Sequence, residues 1–130
     1  MNLLSKELLV VALGGAFGSV VRLLLSRWVQ AFVPYENFPF GILLVNVLGC
    51  FVIGILYVLF EHHELTGALW RVGLFVGLLG GFTTFSTFSL DSILLLKEGA
   101  YFSGIANILA SLAFCLLGTV AGIWSASVFL

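Results

Sequence analysis

The chain has 130 residues, of which 62% are hydrophobic and 8% are charged, and its formal net charge is −1. Soluble domains carry about 25% charged residues, so this composition excludes an ordinary water-soluble domain. The balanced charge also gives no sign of a nucleic-acid partner. Because a helix that crosses a bilayer needs roughly 20 apolar residues, the chain has room for about four to six spans and little else.

Polar segments divide the chain into four apolar stretches, which we interpret as one all-α membrane domain (1–130) with four transmembrane helices. Two prolines and a charge interrupt the chain at 33–39, a polar loop occupies 61–66, and a short connector occupies 97–99. Prolines and clustered polar residues are typical of turns between helices. The predicted spans are therefore about 8–32, 40–60, 69–96 and 100–130.

The distribution of Lys and Arg predicts no single orientation in the membrane. Four spans place Lys6 and Arg71 on one side, and Lys97 and Arg27 on the other, with Arg22 deeper in the first span. The side that carries more Lys and Arg normally stays in the cytoplasm, but here the counts nearly cancel. This balance favours dual topology and an antiparallel homodimer.

Glycines recur at intervals of four residues in three of the spans. The pairs and triplet are Gly14/Gly18, Gly73/Gly77/Gly81 and Gly118/Gly122. Small residues at this spacing allow membrane helices to approach closely. The pattern fits packing inside one bundle and packing against a second subunit equally well.

The densest polar segment is GGFTTFSTFS at 80–89, with two glycines and five hydroxyl side chains inside a predicted span. One interpretation is a continuous helix whose hydroxyls bond carbonyls one turn earlier. The other is a helix broken near Gly80 in mid-membrane, with a new helix starting at Thr83 or Thr84. Carbonyl oxygens released by such a break could hold a cation.

Two aromatic and two amide side chains are candidates for an anion path. Phe85 and Phe88 share one helix face, and the positive edges of their rings can attract an anion, although lipid contact or core packing is the ordinary role. Asn46 is an isolated polar residue that either donates to an anion or joins helices. Asn107 belongs to a polar stripe with Ser103 and Ser111, and the sequence fits both contacts within the bundle and the lining of a polar path.

Charged and reactive residues give no indication of an enzyme. The sequence contains no Ser-His-Asp set, Cys-His pair or phosphate-binding loop, and we expect His62 and His63 to be solvated. Cys50 and Cys115 lie in apolar runs, so we expect no disulfide. Arg22 is costly to bury in a membrane and is expected to face a cavity or a partner.

The segment GGFTTFSTFS, together with GGAFGSVVR at 14–22 and GILLVNVLG at 41–49, resembles the fluoride channel family named Fluc or CrcB. The resemblance extends over nearly the whole chain. It implies an antiparallel homodimer with two fluoride pores and a central structural Na⁺ that is not transported. Ile42 and Asp91 depart from the residues common in that family, Thr and Glu.

The resemblance also implies residue roles. It gives Arg22 a place in a basic vestibule, and it makes the carbonyl oxygens of Gly80 and Thr83 the sodium ligands. The implied fluoride pore residues are Asn46, Phe85, Ser86, Thr87, Phe88 and Ser111, with Asn107 added from its polar stripe.

These observations predict a passive, fluoride-selective channel that lowers cytoplasmic fluoride in a prokaryotic plasma membrane. The expected partners are a second copy of the chain, the fluoride ion and the lipid bilayer. A small dual-topology multidrug exporter is the first alternative, but it needs a membrane-embedded carboxylate that the first two spans lack. A structural subunit that transports nothing is the second alternative.

Overall fold

A computed structural model describes residues 1–33, 37–62 and 67–129, and all regular structure within these ranges is helical. Four stretches are long and apolar enough to cross a membrane. Their elements are α1 (Leu3–Phe32), α2 (Phe40–His62), α3 (Ala68–Val72), a π-helical segment (Gly73–Leu79), α4 (Gly80–Phe82), α5 (Phe85–Lys97) and α6 (Tyr101–Phe129).

The four predicted helices are therefore present, and the third consists of α3, the π-helical segment, α4 and α5. The first helix begins at Leu3, earlier than the hydropathy pattern predicts, because the Asn2 side chain accepts a hydrogen bond from the Ser5 backbone N–H at 2.8 Å. A side-chain acceptor at this position starts a helix. Residues 34–36 of the predicted first turn, residues 63–66 of the predicted loop, including His63, and Leu130 lie outside the described residues.

The connector between α5 and α6 is a tight glycine turn. Gly99 has φ of 82°, a conformation that favours glycine, and the Ala100 N–H donates to the Leu95 carbonyl oxygen at 2.9 Å. The Gly99 N–H donates to the Leu96 carbonyl oxygen at 3.2 Å. This pair of bonds is the Schellman arrangement that ends helices, and it returns the chain directly into α6.

The glycine rows pack inside the chain, which resolves one of the alternatives above. A Cβ atom on Gly18 of α1 would overlap the Leu78 carbonyl oxygen, and one on Gly122 of α6 would overlap the Phe51 carbonyl oxygen of α2. Two close helix pairs result, with α1 against the π-helical segment and α4, and α2 against α6. Backbone contact of this kind needs a residue without a side chain.

The interior of the chain is unusually polar for its composition. Large apolar side chains are exposed on every span, as expected for a surface that faces lipid. The buried polar residues instead gather between the helices, and they are Asn46, Thr84, Ser92, Asn107 and Ser111. Uncharged polar groups in the interior of a membrane bundle join helices by hydrogen bonds or line a polar path.

The α-helical backbone of the third span is interrupted at Thr83 and Thr84. Helix α4 ends at Phe82 and α5 begins at Phe85, and between them Thr83 (ψ 156°) and Thr84 (φ −150°) are extended. Gly80 is helical, with φ −62° and ψ −36°. The interruption therefore lies three residues beyond Gly80. Gly81, between them, packs closely against Gly15 of α1.

Candidate functional site

Asn46 of α2 bonds both backbone groups of Thr84. Its Nδ2 donates to the Thr84 carbonyl oxygen at 3.0 Å, and its Oδ1 accepts from the Thr84 N–H at 2.8 Å. Only 8% of Asn46 and 7% of Thr84 are exposed. An unpaired backbone group in an apolar interior is costly, so this amide stabilises the interrupted backbone. One N–H of the Asn46 carboxamide remains beyond these two bonds.

The Thr84 hydroxyl caps the N-terminus of helix α5 and forms hydrogen bonds with two further hydroxyls. Its oxygen accepts from the Thr87 N–H at 3.2 Å, and lies 3.2 Å from Thr87 Oγ1 and 3.1 Å from Ser86 Oγ. Thr84 is therefore the N-cap, and it is one of the two threonines at which the sequence predicted the new helix to start. Three hydroxyls at a helix N-terminus form a local group of uncharged donors.

A cavity of about 370 Å³, the inner cavity, lies beside the interruption. Among the residues that line it, all of them in the described part of the chain, none carries a charged side chain. The lining residues are Asn46, Gly49, Cys50, Ile53, Phe75, Leu79, Gly80, Thr83, Thr84, Phe85, Phe88, Ser111, Leu112, Cys115 and Leu116. The cavity thus combines apolar walls with amide and hydroxyl donors.

The two candidate phenylalanines occupy different environments in this cavity. Their ring centroids are 5.2 Å apart with an interplanar angle of 57°. Phe88 is 8% exposed, whereas Phe85 is 73% exposed. One ring therefore belongs to the interior of the chain, and the other stands at the open side of the inner cavity.

A second cavity, the outer pocket, has a volume of about 440 Å³ and lies next to the second half of α5. Charged residues Arg27, Asp91 and Glu98 line it, together with Ile42 and Thr87. Since Thr84 lines the inner cavity and Thr87 lines the outer pocket, their hydroxyl contact connects the two cavities. Ser86, the third hydroxyl of this group, is exposed.

Arg22 reaches the interruption. Its Nη1 is 3.5 Å from the Thr83 carbonyl oxygen, at the long limit of a hydrogen bond. Arg27 and not Arg22 lines the outer pocket. The long side chain of Arg22 thus carries a positive charge beside the extended backbone of the third span.

Backbone oxygens near the interruption are candidate cation ligands. In a continuous helix the Thr84 N–H would bond the Gly80 carbonyl oxygen, but here it bonds Asn46. Gly80 and Thr83 both line the inner cavity. In the described ranges no three His, Cys, Asp or Glu side chains come together, so side chains there supply no metal cluster.

Asn107 lies one layer behind the cavity wall and is 1% exposed. Its Nδ2 donates to Ser92 Oγ at 2.9 Å, and its Oδ1 accepts from Ser111 Oγ at 3.4 Å. Ser92 Oγ in turn donates to the Phe88 carbonyl oxygen at 2.8 Å. The sequence analysis did not identify Ser92 as part of this network. A hydroxyl side chain four residues after Phe88, on the same helix face, could have indicated it.

Comparison with known proteins agrees with these features. Residues 9–123 match the family model described as CrcB-like protein, Camphor Resistance (CrcB). A Geobacter sulfurreducens protein named fluoride-specific ion channel FluC is 47% identical over 119 residues, 92% of this chain and 95% of that protein. Proteins of the same name from Geobacter metallireducens and Phocaeicola vulgatus are each 44% identical over 119 residues, covering 92% of this chain and 95% and 97% of those proteins. The chain therefore belongs to the CrcB-like protein family.

Proposed function

We propose that the chain is a passive, fluoride-selective channel of a bacterial plasma membrane, where it lets fluoride leave the cytoplasm. The observation that carries this proposal is the inner cavity, which combines Asn46, Ser111 and the two phenylalanine rings without a charged side chain. The names of the relatives, all fluoride-specific ion channels, support the same conclusion. Such a protein moves an ion and catalyses no reaction.

Uncharged donors suit conduction of a small anion. Fluoride must exchange its water shell for several weak partners, and each partner must release it again. Asn46 offers its remaining N–H, and Phe85 and Phe88 offer the positive edges of their rings. The Ser111 hydroxyl donates to Asn107 Oδ1 over a long 3.4 Å, so it gives up this bond when it donates to the ion. A Lys or Arg in the same cavity would hold the ion too strongly to let it pass.

The two connected cavities suggest the route. An ion in the inner cavity meets the Thr84 hydroxyl, passes along Ser86 and Thr87, and reaches the outer pocket. Arg27 in that pocket attracts anions, whereas Asp91 and Glu98 repel them, so the pocket binds fluoride only weakly. We assign Arg22, at the Thr83 carbonyl oxygen, to the electrostatic attraction of anions toward the interruption.

We propose further that two chains pair in antiparallel orientation. The near-equal counts of Lys and Arg on the two sides support dual topology. The exposure of Phe85 supports pairing, because a ring at the open side of the inner cavity gains a second wall from a partner subunit. In a single subunit, Phe85 of the candidate path is left exposed.

We propose Gly80 and Thr83 as ligands of a structural Na⁺ on the two-fold axis near mid-membrane. The Gly80 carbonyl oxygen fits this role, because its helical donor is diverted to Asn46. The Thr83 carbonyl oxygen has a second lone pair besides the one directed at Arg22. Two carbonyl oxygens from each subunit would coordinate the ion through their dipoles, and the bound ion would hold the helix interruption in place.

Fluoride flux from liposomes tests the function. Purified protein in liposomes loaded with fluoride should release it down its gradient when a potassium ionophore balances the charge, and the same vesicles should retain chloride. A proton-coupled exporter would instead require a proton gradient, and a structural subunit would release neither ion. Either result would contradict the proposal.

A further inference from the structure

The two cysteines of the chain lie on packed helices and face the same cavity. Cys50 of α2 and Cys115 of α6 are both free thiols. Both are half-buried and both line the inner cavity. Neither thiol has a part in the proposed fluoride path.

Close helix packing holds the two thiols near each other. A Cβ atom on Gly118 would lie 3.1 Å from the Val47 carbonyl oxygen, and one on Gly54 would overlap the Thr119 carbonyl oxygen. Cys50 lies between Val47 and Gly54, in the part of α2 that touches α6. The thiols are therefore carried by two helices in backbone contact, which cannot separate far.

The geometry points to a two-coordinate site for a soft, thiol-seeking divalent cation, of which mercury(II) is the type, at Cys50 and Cys115. Sulfur ligands select soft metals. In the described residues no third His, Cys, Asp or Glu joins the pair, so metals that need four protein ligands do not fit. Mercury(II) accepts linear coordination by two sulfur ligands.

Charge balance favours a divalent ion over a monovalent one. Mercury(II) forms one bond to each sulfur and releases both thiol protons to water, so the product carries no net charge. Silver(I) with two thiolates would leave one negative charge in an apolar cavity wall, which is costly. The bound metal would bridge α2 and α6 one helical turn from Asn46 and Ser111, and this site does not depend on fluoride conduction.

A titration of the reduced full-length protein tests the site. Mercuric nitrate is added in chloride-free buffer, and the protein is analysed by native mass spectrometry and X-ray absorption at the mercury edge. We expect one mercury atom per subunit, the loss of two hydrogen atoms, and two sulfur neighbours for the metal. Two mercury atoms per subunit, or a single sulfur neighbour, would refute a shared site.

Serine variants provide the controls. Cys50→Ser and Cys115→Ser should each bind mercury(II) at least about tenfold more weakly, because the second sulfur no longer binds intramolecularly. Each should lose one hydrogen atom and show one sulfur neighbour, and the double variant should bind none. If either single variant bound mercury(II) as tightly as the unmodified protein, the proposal would be overturned. The X-ray absorption spectrum of the unmodified protein tests the site without any variant.

Discussion

Asn46 and Thr84 are joined by two hydrogen bonds, of 3.0 and 2.8 Å, that pair the side-chain amide of one with both backbone groups of the other. The sequence suggested two roles for Asn46, a link between helices and a donor to an anion. The amide performs the first, because it joins α2 to the interruption of the third span. It retains one N–H for the second role, donation to an anion. A single residue can therefore hold the open backbone and face the inner cavity.

We predict that Asn46→Asp lowers fluoride flux by at least about tenfold. The change removes the donor to the Thr84 carbonyl oxygen, and an unsatisfied buried group costs roughly 1–3 kcal/mol. It also places a negative charge beside the path of an anion. Liposome flux measures the effect, and size-exclusion chromatography confirms that the variant is folded. Undiminished flux through a folded variant would remove Asn46 from the pore.

Phe85→Ile and Phe88→Ile should each reduce fluoride flux. An aliphatic side chain keeps bulk but loses the positive ring edge that attracts an anion, so we expect the flux to fall by about twofold or more. Phe102→Ile, at an 88% exposed position at the start of α6, is the matched control and should conduct normally. Normal flux in both cavity variants would make the rings packing elements.

Ser92→Ala should destabilise the protein by roughly 1–3 kcal/mol, because it leaves the buried Asn107 amide without its acceptor. The Phe88 carbonyl oxygen loses a donor as well. Ser89→Ala, at an exposed position on the same helix, should change stability by less than about 0.5 kcal/mol. Denaturant unfolding in detergent compares the two variants, and equal stability would argue against a structural role for Ser92.

Dual topology predicts that one site is accessible from both sides of the membrane. In a Cys50→Ser/Cys115→Ser background, Glu61→Cys should react with a membrane-impermeant maleimide in about half of the molecules in intact cells, since balanced charges favour neither orientation. After the cells are permeabilised, the maleimide should also modify the other half of the molecules. The parent without cysteine controls for background, and modification restricted to one side would exclude an antiparallel dimer.

Sodium should stabilise the pair of subunits. When Na⁺ is replaced by N-methylglucamine at constant ionic strength, we expect a lower dimer melting temperature and lower flux, because the carbonyl oxygens of Gly80 and Thr83 repel one another without a cation. Restored sodium should reverse both effects. Identical stability and flux after exhaustive dialysis against the organic cation would eliminate the proposed ion.

The sequence by itself determined the four membrane helices, because the length of an apolar run and the turn residues that end it are local properties. It also located the unusual third span, since GGFTTFSTFS concentrates hydroxyls where a membrane helix is normally apolar. The start of α5 depended on a choice between neighbouring threonines. The hydrogen bond from the Thr87 N–H to the Thr84 hydroxyl makes Thr84 the N-cap. The backbone leaves the helical conformation only after Gly80 and Gly81.

Partners across helices were decided only by the tertiary structure. The spacing of residues along a helix defines which of them share a face, but not which neighbour that face meets. Only the packing of α2 against α6 and of α1 against the third span assigned the glycine rows to contacts within the chain. The same packing placed Asn107 behind the cavity wall and brought Cys50 and Cys115 to the lining of one cavity, because side chains far apart in sequence meet only when their helices do.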